Sequence, residues 1–178
     1  MHAATTTEIR IENSTLTDIT EIYRLYQLAA EYQRSKKTVV VWPEFARELV
    51  ETEIKENRQW KMLINDQIAC SWVTTFSDEQ IWEERNADPA VYIHRIATNP
   101  VFRGNNFVFR IVPWAIAYAR QQGKTYVRLD TLDNNTRLIR HYQDAGFEFL
   151  GMFDLKNTDG LPDHYHNVPA CLFQIKVD

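Results

Sequence analysis

The residues whose side chains could most readily take part in chemistry lie between positions 92 and 151 of this sequence. His94 lies in a strand-like run, Arg103 and Gly104 follow it in a turn, and Tyr142 comes later. An imidazole with a pKa near 6.5 accepts a proton at neutral pH, and a phenol with a pKa about 10 donates one. A phosphate-binding turn, a polar strand end and a tyrosine would suit a protein that holds a phosphorylated ligand and acts on it.

The turn at Arg103 and Gly104 has the composition of an anion site. The N-terminus of a helix exposes backbone N–H groups, and a glycine lets the backbone approach a phosphate closely. Arg103 adds a positive charge with a fixed fork of donors. One arginine and one glycine also describe a solvated turn that caps an ordinary helix, so the turn alone does not define a function.

The order of predicted elements indicates one mixed α/β domain over residues 1–178. Alternating residues predict a first strand at 8–12, and two later strand-like runs joined by polar residues predict a hairpin. From residue 91 the pattern becomes strand, helix, strand and helix, which is typical of a parallel pair with a crossover. Thr17 is predicted to cap the first helix, and Pro113 is expected to kink or break the helix after the turn.

Composition excludes several classes of protein. The 178 residues are 44% hydrophobic and 25% charged, as in an ordinary globular protein, and the net charge of -4 argues against a nucleic-acid partner. Neither a signal peptide nor a membrane-length apolar run is visible, so we expect no membrane partner and a cytoplasmic location. Cys70 and Cys171 are expected to be buried thiols, and His164 with His166 lacks the further ligands of a metal site.

Residues 92–151 resemble the GNAT superfamily of N-acetyltransferases, and the likeness in element order covers most of the chain. In that family a Pro-x-Phe/Tyr sequence leads into an arginine- and glycine-containing turn, which this sequence matches with Pro100, Phe102, Arg103 and Gly104. The two remaining glycine positions hold Asn106 and Val108. Asparagine adopts left-handed backbone conformations readily. A β-branched Val108 is expected to crowd the pyrophosphate or the packing of helix on strand.

The resemblance implies a fold and a cofactor site. The expected fold is a mostly antiparallel sheet with one splayed parallel pair, flanked by helices. Acetyl-CoA, or another acyl-CoA, would be held at the turn by Arg103, Gly104, Asn105, Asn106, Phe107 and Val108. The strand before the turn would bulge, so that its backbone at Ile96, Ala97 and Thr98 pairs with the pantetheine arm. A backbone N–H there would face the thioester carbonyl and stabilise an oxyanion.

A second motif of the family, Asn-x-x-Leu-x-x-x-Tyr-x-x-x-Gly-Phe, is matched by Asn135, Leu138, Tyr142, Gly146 and Phe147. The resemblance implies that Asn135 bonds the pantetheine arm and that Tyr142 protonates the departing thiolate. The alternative for Tyr142 is an aromatic residue that packs on the sheet.

Several side chains are candidates for the acceptor side of the site. His94 is the candidate base, and the alternative is a core histidine bonded to a neighbour. Glu83, Glu84 and Asp88 would either line the acceptor pocket or lie in solvent as loop charges. His164 and His166 are expected to provide polarity at its rim.

The resemblance therefore implies transfer of an acetyl group from acetyl-CoA to a primary amine by direct attack in a ternary complex. No metal is expected. A homodimer is expected from family habit alone, and the acceptor stays open because acceptor loops vary freely on one fold. The alternative is a weak or inactive module of the same fold that binds CoA or a protein partner, which the residues at positions 106 and 108 favour.

Overall fold

The computed structural model describes residues 7–38, 40–132 and 134–178, and its centre is one seven-stranded sheet. The strands are β1 (Ile9–Asn13), β2 (Gln59–Ile64), β3 (Gln67–Thr75), β4 (Ala90–Thr98), β5 (Tyr126–Thr131), β6 (Glu148–Phe153) and β7 (Ala170–Lys176). Their order is β1-β2-β3-β4-β5-β7-β6. Within the described residues β4 and β5 form the one parallel pair, and the other neighbours are antiparallel. The predicted sheet is confirmed.

Five α-helices flank the sheet in the described part of the chain. They are α1 (Ile19–Lys36), α2 (Arg47–Lys55), α3 (Glu79–Trp82), α4 (Val108–Gln121) and α5 (Thr136–Asp144). The apolar face of α4 packs on the sheet in the main core, while α1 and α2 form a second core with Phe45 and Ala97. Helices therefore cover both faces around β4.

Two details of the helices differ from the prediction. A short 3-10 turn precedes α1, and its cap is Thr15 rather than Thr17, because the carboxylate of Asp18 lies three residues on and accepts the Thr15 N–H at 2.7 Å. The expected break at Pro113 is absent, since α4 runs from Val108 to Gln121 through it. Burial of the α4 face on both sides of the proline outweighs the lost hydrogen bond.

Two further expectations can be compared with the described residues. Cys70 and Cys171 are both buried, as expected. None of the helices in the described ranges combines the length and the apolar character that a membrane crossing needs.

A bulge in β4 is the feature of the sheet that most affects the site. Between the pairs His94–Val73 and Ala97–Ser71, two residues of β4 face one residue of β3. Arg95, inside the bulge, has a φ of 51°, a left-handed conformation that is uncommon for residues other than glycine. The bulge that the resemblance implied is therefore present.

Candidate active site

The strands β4 and β5 separate beyond their last registered pair, Ile93–Leu129. His94 and Asp130 are the next residues on the two strands, so they stand at the apex of a fork. Beyond it, Ala97 and Thr98 of β4 pair with β3 on one side and, among the described residues, with no strand on the other. The fork leaves this edge of β4 unpaired, and pairing of a ligand with Ile96, Ala97 and Thr98 stays a prediction.

The turn between β4 and α4 has the shape of an anion cradle. Gly104 has a φ of 91°, and a Cβ at this position would meet no atom within 4 Å. Asn106 has a φ of 50° and so takes the left-handed conformation expected of asparagine here. The N–H groups of Gly104, Asn106, Phe107 and Val108 have no protein acceptor among the described residues. These donors suit a pyrophosphate group.

The side chains of the turn point in different directions. Val108 and Phe107 are buried in the main core, so their side chains face away from the cradle and only their backbone borders it. The Asn105 side chain donates to the Phe102 carbonyl at 2.7 Å. The Arg103 guanidinium lies 4.4 Å from the ring centroid of Tyr32 on α1, which holds a positive charge beside the turn.

Helix α5 carries the second motif. The Oδ1 atom of Asn135 accepts the Arg137 N–H at 2.9 Å and so caps the helix. The ring of Tyr142 packs against Phe173, with centroids 5.1 Å apart. Burial raises the pKa of Tyr142 to about 12, and the charge of Asp130 adds to the shift. Tyr142 thus packs on Phe173 and also lies near the charge of Asp130 at the fork.

A cluster of ionisable groups fills the apex of the fork, and we call Asp78, His94 and Asp130 the fork triad. Asp78 Oδ2 lies 3.7 Å from His94 Nε2, and Asp130 Oδ1 lies 4.0 Å from His94 Nδ1. The Tyr165 hydroxyl donates to Asp130 Oδ2 at 3.4 Å. The side chains are 13%, 21% and 4% exposed, in sequence order, so little water reaches them.

Burial shifts the pKa of every member of the fork triad toward its neutral form. It raises the pKa of Asp78 to about 8, with a further contribution from the charge of Asp130. Burial also raises the pKa of Asp130 to about 6. It lowers the pKa of His94 to about 4, and nearby arginine charges add to that effect. Such shifts are frequent where a protein handles protons.

The other side of the bulge is fixed by a buried ion pair. The Arg95 guanidinium donates to the Glu53 carboxylate of α2. It also lies over the rings of Phe45 and Tyr26, at 4.7 and 5.4 Å from their centroids. Arg95 therefore anchors the bulge to the α1–α2 layer.

The loop before β7 covers the fork. The ring of His164 contacts Tyr165 with centroids 4.6 Å apart, and burial lowers the pKa of His164 to about 4. His164 and His166 also border a cavity of about 300 Å³ with Val40 and Pro43. Their role at the rim of an acceptor site stays a prediction.

Sequence reasoning missed Asp78, Asp130, Arg95 and Glu53. Asp130 lies one residue before the end of a predicted strand, at the carboxyl edge of a parallel pair, which was the available signal. Asp78 lies in an acidic stretch of the sequence, and nothing local distinguishes it from the other carboxylates there. Of the acidic residues that were named, Asp88 forms an ion pair with Arg128 at 2.6 Å, and Glu83 forms one with Lys156 at 2.7 Å.

The chain is similar to known acetyltransferases. The family model "Acetyltransferase (GNAT) family" matches residues 19–147. "Uncharacterized N-acetyltransferase YesJ" of Bacillus subtilis (strain 168) is 30% identical over 74 residues, which are 42% of this chain and 41% of that protein. The matched stretch is thus less than half of that relative.

Two solved structures show the same fold. An acetyltransferase of the GNAT family from Listeria monocytogenes 4b F2365 has a TM-score of 0.75 at 20% identity over 98% of both chains. Spermidine N-acetyltransferase from Vibrio cholerae, solved with CoA and spermine, has a TM-score of 0.65 at 13% identity over 95% of both chains. With the family model matching most of its length, this chain belongs to the acetyltransferase (GNAT) family.

Proposed function

We propose that the protein transfers an acetyl group from acetyl-CoA to a primary amine, by direct attack of the amine in a ternary complex. The observation that carries the proposal is the fork between β4 and β5, with the cradle of N–H groups at one end of the open strand edge and the fork triad at the other. Spermidine N-acetyltransferase from Vibrio cholerae, which has the same fold and was solved with CoA and spermine, supports the two kinds of ligand.

The residues of the turn fit the cofactor. Arg103 and the open N–H groups at Gly104 and Asn106 would hold the pyrophosphate, and the space beside Gly104 leaves room for it. Residues 96–98 would pair with the pantetheine arm, helped by Asn135. When bound, acetyl-CoA supplies an activated acetyl thioester. The backbone N–H groups of Ile96 and Ala97 would polarise its carbonyl.

Tyr142 would act on the departing sulfur. With a pKa raised to about 12, the phenol keeps its proton throughout the physiological range. It can therefore donate a hydrogen bond to a developing thiolate whose own pKa is near 8.5. Full proton transfer to that thiolate would be uphill, so stabilisation by the hydrogen bond is the larger part of the proposed role.

His94 would accept a proton from the amine. Its pKa, lowered to about 4, keeps the imidazole neutral at neutral pH but also makes it a weak base. The neighbouring Asp130 carboxylate would stabilise the imidazolium once it forms.

Thermal melting with acetyl-CoA tests the proposal first. A ligand that binds only the folded state at about 100 times its Kd adds about 2.7 kcal/mol of stability, which raises the melting temperature by several degrees. Arg103→Glu is expected to abolish the rise, whereas Arg110→Glu, on an exposed position of α4, is the matched control. Amine-dependent release of CoA is then expected. A rise without release for any amine would instead indicate a binding module, and no rise would refute the cofactor site. The homodimer and the cytoplasmic location stay predictions.

A further inference from the structure

Exposed apolar side chains and unpaired cations lie together around the turn between β4 and α4. Tyr32, Val101 and Phe109 are 44%, 80% and 43% exposed. The centroid of the Tyr32 ring lies 5.5 Å from Lys36 Nζ and 4.4 Å from the Arg103 guanidinium, so contacts join the end of α1 to the turn. We call Tyr32, Lys36, Val101, Arg103 and Phe109 the turn patch.

The turn patch is continuous with the start of α5. The Phe109 ring lies 5.6 Å from the ring of His141, centroid to centroid. The first turns of α4 and α5 contain no acidic residue, and the exposed Arg137 lies in the first turn of α5. The positive end of a helix dipole favours a carboxylate and disfavours an arginine. This surface therefore suits an anionic partner better than it suits the free protein.

The distribution of charge along the chain supports the same conclusion. The sequence has 24 acidic and 20 basic residues, yet residues 32–43 and 99–124 contain seven of the basic residues and none of the acidic ones. In the described part of the chain, neither Lys36 nor Arg103 forms an ion pair with a carboxylate. A positive surface on an acidic protein is complementary to an acidic partner.

The apolar members of the turn patch indicate that this partner is a protein. Phosphate groups would bind to the backbone N–H groups of the turn and to the cations, but they gain nothing from Val101 or Phe109. Exposed aromatic residues beside arginine are typical of the centre of a protein–protein interface, where apolar contacts supply much of the binding energy. The turn patch therefore has the composition of a docking surface for an acidic protein.

The position of the turn patch identifies the kind of protein. A pantetheine arm that lies along the open edge of β4, with its phosphate at the turn, carries whatever is attached to that phosphate onto the turn patch. In CoA the attached group is a nucleotide. In a carrier protein the same arm is joined through one phosphate to a serine. An amine acceptor would instead approach the fork triad, at the other end of the open strand edge.

We propose that the turn patch docks an acidic carrier protein whose serine bears an acylated phosphopantetheine arm, so that the protein takes its acyl group from this donor as well as from free acetyl-CoA. The proposal rests on the proposed function, because the fork must hold the arm. The amine nitrogen attacks the thioester carbon, and the C–N bond forms as the C–S bond breaks. The proton that the amine loses ends on the sulfur, which stays on the carrier as a thiol.

Fluorescence anisotropy with a labelled bacterial acyl carrier protein of fatty-acid synthesis tests the docking. Two forms are compared, one with the bare serine and one with an acetyl-phosphopantetheine arm. We expect the bare-serine form to bind, the acetylated form to bind more tightly, and both affinities to fall as salt is added. Poly-glutamate has the negative charge without the arm or an apolar surface, so it should compete only weakly.

Variants of the turn patch have matched controls elsewhere on the protein. Lys36→Glu is expected to weaken binding of both carrier forms about 10-fold, since it places like charges together at the interface. Lys176→Glu makes the same change at an exposed position of β7, at the end of the sheet away from the fork, and should leave the affinity unchanged. Phe109→Ser should also weaken binding, whereas Leu49→Ser on α2, also 43% exposed, should not.

Three results would overturn the proposal. They are equal affinity for Lys36→Glu and Lys176→Glu, competition by poly-glutamate as strong as by the unlabelled carrier, and no gain in affinity from the acetylated arm. Melting with acetyl-CoA separates this failure from failure of the proposed function. A rise with acetyl-CoA but no binding of either carrier form would leave the acetyltransferase proposal standing and restrict the donor to free CoA thioesters.

Discussion

Glu53→Gln should destabilise the protein much more than the loss of a carboxylate that lies on the surface. The Glu53 side chain is 5% exposed and Arg95 is 12% exposed, so their ion pair is largely removed from water. Removing one partner of a buried pair costs about 3–5 kcal/mol, because the other charge stays buried without compensation. For a chain of this length, about 2–4 °C per kcal/mol gives a fall in melting temperature of about 6–20 °C.

Urea denaturation at neutral pH, with thermal melting as a second probe, measures the effect. Glu56→Gln is the matched control, since Glu56 is 54% exposed and pairs with Arg58 on the surface. Its loss should cost less than about 1 kcal/mol. Replacing both partners, as Glu53→Leu with Arg95→Met, should recover much of the lost stability, because no charge is then left buried.

Glu53→Gln should also affect the candidate site. Arg95 holds the left-handed position in the bulge, so loosening it should also reduce the stabilisation by acetyl-CoA in Glu53→Gln but not in Glu56→Gln. The reasoning would be refuted if Glu53→Gln unfolded at the same urea concentration as Glu56→Gln. It would equally fail if the double replacement were less stable than Glu53→Gln alone.

Three further outcomes are expected. Tyr142→Phe should lower kcat about 100-fold in a CoA-release assay and leave KM for acetyl-CoA nearly unchanged, because the hydroxyl acts on the departing sulfur while the ring packing is kept. Asp130→Asn should stabilise the protein at pH 8 but not at pH 4. Folding raises the pKa of Asp130 from 3.8 to about 6, so the wild-type protein loses stability as the pH rises from about 4 to about 6. Above pH 6, urea titrations should show that Asp130→Asn is more stable than the wild type by about 3 kcal/mol. Cys70, whose pKa burial raises to about 12, should not react with a thiol reagent at pH 8 until the protein unfolds; fast reaction of the native protein would contradict its burial.

Local patterns explain the parts of the site that could be predicted. The turn at Gly104 and Asn106 depends on backbone conformations that these residue types favour; both have a positive φ, as asparagine's left-handed tendency predicted for Asn106. Tyr142 could be selected because its motif lies within one short stretch of sequence, residues 135–147. The predicted cap at Thr17 was wrong because Asp18 completes a capping box with Thr15, which decides between two similar candidates.

The sequence by itself determined the order of the strands along the chain, the parallel pair and the turn at Arg103 and Gly104, since alternation, helix period and turn residues act over a few neighbouring positions. Only the tertiary structure decided what His94 faces. The bulge at Arg95 and the separation of β4 from β5 set the direction of its ring, and Asp78 and Asp130 reach it from different segments. Contacts between distant segments depend on how the layers pack around the sheet, and that packing reflects the whole chain rather than a local run of residues.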